Sequence, residues 1–85
     1  MRIYMQTRYD PDHPLRFFHL HLQPDLLGGW ILIRESGLQG ARGRASREYF
    51  EQREMAERAL IRYRDQRLKQ GYRVVFREGE LGETE

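Results

Sequence analysis

The apolar residues of this chain change their spacing part-way along it. Up to residue 50 they recur mostly at every second position within short runs, and from residue 52 to residue 69 they recur at every third or fourth. A strand sends alternate side chains to opposite faces, whereas a helix gathers positions i, i+3 and i+4 on one face, so the order reads as several strands, one helix and a short last strand. In "RIYMQTRY", Ile3, Met5 and Thr7 alternate with Tyr4, Gln6 and Arg8; in "LRFFHLHLQ", Phe18, Leu20 and Leu22 alternate with Phe17, His19 and His21. The segments "DPDHP" and "PDLLGG" between these runs hold the prolines, aspartates and glycines of turns. "WILIRE" is apolar on both faces, which places it inside a sheet rather than at its edge. "RASREYF" is a weaker strand whose inward candidates are Ala45, Tyr49 or Phe50. In the helical stretch Met55, Ala56, Ala59, Leu60 and Tyr63 form one core-facing stripe. Glu51, Glu54 and Glu57 gather at its start and Arg64, Arg67 and Lys69 at its end, as the helix dipole favours. Gly71 is a natural stop, and "YRVVF" follows as a strand. The expected fold is α+β: a small antiparallel sheet with one long helix packed on it.

A chain of 85 residues is enough for one small domain. We assign it to residues 1–76. Residues 77–85, "REGELGETE", are acidic with one large apolar side chain and read as a disordered tail. Without cysteine there is neither a disulfide framework nor a thiolate ligand or nucleophile. No apolar run is long enough for a membrane span and the N-terminus lacks signal-peptide character, so the sequence reads as a soluble, cytoplasmic protein with no membrane partner. Removing the tail makes the charge informative: residues 1–76 carry 14 basic against 9 acidic groups. Fourteen of the 15 basic residues in the whole chain are arginine, the better fork for phosphate.

Three histidines, His13, His19 and His21, include an H-x-H pair on one side of a strand, but a metal site needs a third or fourth donor and a second shell, and the sequence points to none. Ser36 and Ser46 lack a nucleophile-elbow motif. Neither metal, cofactor nor catalysis is expected. On the helix, Arg58, Arg62 and Lys69 make a basic edge, while Ile61 and Leu68 make a second apolar patch expected to be covered by the last strand or the tail. The loop "GLQGARG", with Gly37, Gly40 and Gly43 at every third position, joins strand to strand. It lacks the G-K-[ST] ending of a Walker loop, and its position between strands excludes the dinucleotide and KH types. Its glycines suit a turn, and Arg42 and Arg44 beside them suit an anion.

The stretch Gln23, Pro24, Leu26, Gly28, Gly29 and Trp30, with Arg34 and Glu35 after it, then the glycine loop, a helix containing Ala56 and the pair Gly71-Tyr72, resembles the WGR domain in the short form of small stand-alone bacterial proteins. The similarity runs from Met1 to about Tyr72. It implies a small antiparallel sheet with one helix. In poly(ADP-ribose) polymerases the domain helps bind DNA at strand breaks, the tryptophan and arginine of its Trp-Gly-Arg motif packing against the nucleic-acid backbone. The motif's place here is held by Ser36, Gly37 and Leu38. The glycine is kept and the contact groups are replaced. The resemblance therefore implies a weak, sequence-independent nucleic-acid-binding module, with DNA ends or breaks as partner and Arg34, Ser36, Gly37, Leu38, Gly40, Arg42 and Arg44 as its site. The alternative is a protein-interaction module that has lost DNA binding and uses Leu38, Ile61 or Leu68.

Overall fold

The computed structural model describes residues 1–79. Five strands, β1 (Arg2–Thr7), β2 (Arg16–Pro24), β3 (Trp30–Leu38), β4 (Arg44–Phe50) and β5 (Tyr72–Glu78), form one sheet in the order β4-β3-β2-β1-β5. Every neighbouring pair is antiparallel. A single helix, α1 (Arg53–Lys69), leaves β4 at one edge and delivers the chain to β5 at the other. Its 17 residues span about 25 Å, more than the roughly 19 Å between the outer strands of a five-stranded sheet, so one helix crosses the whole face.

That face holds the core. Ile3 and Met5 of β1, Phe18, Leu20 and Leu22 of β2, Leu32 of β3 and Tyr72 of β5 meet Ala56, Ala59 and Leu60 of α1. Each Leu or Ile removed from water here contributes roughly 1.5–3 kcal/mol, and the small Ala56 and Ala59 bring the helix close to the sheet. The alternation read from β1 and β2 is the one observed, and Trp30 and Phe50 pack half-buried at the margin of the core. Ala45 and Tyr49 face the other way and are exposed. β3, apolar on both sides, lies between β2 and β4.

Two expectations need correction. Met55 is 49% exposed and stands outside the core; the buried position beside Ala56 belongs to Glu57, whose carboxylate accepts from Arg53 Nε at 2.7 Å. β5 also runs two residues beyond the expected domain boundary at residue 76, with Glu78 receiving the Arg2 guanidinium at 2.8 Å. Residues 80–85, the greater part of the expected tail, lie outside the described residues. Gly71 ends α1 with φ of +96°, as a helix stop requires. No helix among the described residues is long and apolar enough to cross a membrane.

Candidate nucleic-acid interface

The register around Ser36 builds the site. Ser36 lies between Phe18 on β2 and Arg44 on β4, Arg34 lies between Leu20 and Ser46, and Leu38 lies opposite Arg16. Because Leu20 and Phe18 face the helix, Arg34, Ser36, Leu38, Arg44 and Arg16 share the helix side. α1 covers only part of that side. Arg16, Arg44 and Ser46 remain exposed at the corner where the β3–β4 hairpin projects.

From the helix, Arg67 extends over this corner's inner boundary, its guanidinium carbon 4.2 Å from the ring centre of Phe18 and 5.2 Å from that of Tyr72. Arg34 lies 4.3 Å over the ring of Tyr63, and its Nε is buried without a hydrogen-bond partner among the described residues. Three arginines, Arg16, Arg34 and Arg44, thus neighbour Ser36 on the helix side, and Arg67 stands over the adjoining Phe18 on its Tyr72 side. Among the described residues neither Arg34 nor Arg67 is paired with an acid: both are seated on rings, and Arg67 Nη1 also donates to Tyr72 Oη at 3.3 Å. The acid nearest in register is Glu48, which accepts from Tyr63 Oη at 3.1 Å. Along the basic edge of the helix, Arg62 and Lys69 line a depression with Tyr63, Asp65 and Gln66, and Arg58 lines another with Glu54, Glu57 and Ile61, so acids stand in both.

The expected site residues are therefore sorted by the fold. Arg34, Ser36, Leu38 and Arg44 come together on the helix side. Gly37 faces the opposite side, where it and Gly43 lie against the ring of Phe17. Gly40, with φ of +84°, makes the turn, and Arg42 is exposed in the connection. Arg16 and Arg67 were not among the expected residues. Arg16 is identified only by its pairing with Leu38, and Arg67 by falling one helical turn beyond Tyr63 on the core stripe.

The remaining candidates are placed as follows. His19 and His21 lie on the uncovered side with rings stacked at 6.3 Å, and His13 is hydrogen-bonded to Asp10. No group of three His, Cys, Asp or Glu among the described residues is arranged to hold a metal ion. Ile61 packs against the core, while Leu68 is partly exposed.

No family model matches the chain, and no solved structure matches it. Among curated proteins, an uncharacterized protein of Sinorhizobium fredii, y4dW, is 33% identical over 73 residues, an alignment that covers 85% of this chain. The aligned region spans 35% of that relative's length.

Proposed function

We propose that this chain is a WGR-like nucleic-acid-binding module that holds a phosphate backbone at the arginine corner around Ser36. The observation that carries the reading is the register that brings Arg16, Arg34 and Arg44 beside Ser36 on one side of the sheet, with Arg67 over the adjoining Phe18 ring. Guanidiniums pair with phosphate oxygens in a fork geometry, and the hydroxyl of Ser36 adds one donor. Such contacts read backbone rather than base sequence, so the binding is sequence-independent and non-catalytic. The basic excess of residues 1–76 supports it.

The deciding experiment is fluorescence anisotropy of a labelled blunt or nicked duplex across a salt series, with closed circular duplex as competitor. Each phosphate neutralised steepens the fall of log affinity with log salt by about 0.9. Arg16→Ala with Arg44→Ala is expected to flatten that slope by nearly two and to weaken binding. An affinity indifferent to both salt and these substitutions refutes the reading, and efficient competition by the circle removes its end-specific part.

A second reading, as a protein-interaction module, is favoured by one observation. At the β2–β3 tip Leu26 and Leu27 are 100% and 95% exposed on a turn fixed by Gly28 N donating to Asp25 O and by Tyr49 Oη donating to Gly28 O. Leu26→Ser with Leu27→Ser that leaves DNA binding intact but abolishes a concentration-dependent rise in mass supports this role.

A further inference from the structure

The side of the sheet that α1 leaves uncovered carries a row of rings. Phe17, Tyr4, His19 and His21 follow one another along β1 and β2 with centroids 6.0, 5.8 and 6.3 Å apart. Phe76, half exposed on β5, pairs across from Tyr4. Phe17 is itself buried against Gly37 and Gly43, and we infer that the accessible rings, Tyr4, His19, His21 and Phe76, are a stacking platform for the unpaired bases of a nucleic-acid strand, an inference that rests on the reading of the arginine corner as a phosphate-binding surface.

The composition of the row favours bases over an apolar peptide. A base offers a planar π-face with polar edges, and aromatic rings on a sheet bind such faces with little regard to sequence. The rings here are matched to that chemistry: Tyr4 and both histidines end in hydrogen-bonding groups, and burial holds both imidazoles below their ordinary titration range, so at neutral pH they present uncharged faces. Cations border the row. Arg47 lies opposite Ile33 at the β4 edge and Arg73 opposite Gln6 at the β5 edge, both exposed and without an ion pair among the described residues. Of the acids on this side, Glu78 is neutralised by Arg2, whose guanidinium also lies 5.8 Å from the Phe76 ring centre, and Glu35 is the direct cross-strand neighbour of His19.

The hairpin that carries the arginine corner is also tied to the row. Gln39 Oε1 accepts from Tyr4 Oη at 2.9 Å and from Gln6 Nε2 at 2.8 Å, and Gln39 N donates to Leu15 O at 2.8 Å. The connection bearing Arg42 therefore stands between the two sides of the sheet, and a strand held by its phosphates at the hairpin is led onto the rings.

The test compares a single-stranded oligonucleotide of about 12 nucleotides with its duplex, using the full chain, by anisotropy. Loss of one stacked ring weakens single-strand binding roughly 5- to 150-fold. His19→Ala with Phe76→Ala is expected to weaken single-strand binding at least about tenfold on that scale while leaving duplex affinity within about twofold. In the unaltered protein, adding the oligonucleotide is expected to move the His19 and His21 ring-proton resonances upfield, a readout that does not depend on a variant folding. If the histidine resonances stay in place, or a folded double variant keeps its single-strand affinity, the platform is overturned, whatever the arginines do. If instead the rings matter and Arg16→Ala with Arg44→Ala changes nothing, the platform stands and the arginine reading fails.

Discussion

The ring of Phe17 lies against the backbone of Gly43, so closely that a methyl group there would stand 2.7 Å from Phe17 Cζ and 2.8 Å from Ser36 O. Gly37, on the facing strand, closes the same contact, its would-be methyl 3.5 Å from Phe17 Cε2. The three-residue spacing of the glycines is thus explained by two different requirements: Gly40 supplies the left-handed backbone of the turn, and Gly37 and Gly43 supply room for an aromatic ring.

Gly43→Ala should therefore destabilise by about 1–3 kcal/mol through overpacking, because one of the two obstructing groups is backbone. Gly40→Ala meets open space and costs only its backbone strain, about 1 kcal/mol. Urea titration of both variants, with Phe17→Leu as the partner in a double-mutant cycle, checks the assignment. Additive losses for Gly43→Ala and Phe17→Leu would mean that the ring is not what the glycine accommodates.

If phosphate is held at the arginine corner, the charge of its central positions controls affinity. Ser36→Asp places a carboxylate beside Arg16, Arg34 and Arg44 and is expected to abolish duplex binding at moderate salt. Leu38 is 40% exposed and pairs with Arg16, so Leu38→Arg adds a further cation without disturbing the core. We expect it to tighten binding and to steepen the salt dependence by about 0.9. Weaker binding by Leu38→Arg would count against a phosphate ligand at this corner.

Stability measurements separate the two helix positions that periodicity alone groups together. Met55 and Leu60 both fit the apolar stripe, yet Met55 is half exposed and Leu60 is fully buried. Met55→Ser is expected to change stability by no more than about 0.5 kcal/mol, and Leu60→Ala to cost about 2–5 kcal/mol. Equal losses would mean that the helix is rotated toward Met55.

The same pair explains how far the sequence could be read. Alternation in β1 and β2 gave the two faces correctly, because a period of two leaves no freedom in which side a residue takes. A helical stripe is broader, and its margin depends on how the helix is turned against the sheet. Met55 and Glu57 lie on opposite flanks of Ala56, and the Arg53 guanidinium beside Glu57 lets the acid take the buried flank. For the site, Arg34, Ser36 and Arg44 were legible because they sit around the hairpin in sequence. Arg16 and Arg67 join them only through strand register and the helix crossing, which are tertiary relationships that local spacing does not encode.

The histidines of the ring row make stability depend on pH. Loss of hydration lowers the His19 pKa below its ordinary value of 6.5, the charge of Arg2 adds to this, and Glu35 opposes it. His21 is lowered by the same desolvation, then by the N-terminal ammonium, His19 and Arg2, with Glu78 opposing. Since the unfolded chain then takes up protons at a higher pH than the folded one, stability is complete above about pH 6.5 and declines as the pH falls through that value toward the lowered folded pKa values. Asp10, held below its ordinary 3.8 by the backbone N–H of Asp12 and by His13, acts with the same sign in a more acidic window. Thermal unfolding is expected to show a lower Tm at pH 5.5 than at pH 7.5, and His19→Gln with His21→Gln should remove most of that difference. A difference that persists in the double variant would assign the dependence to groups outside the ring row.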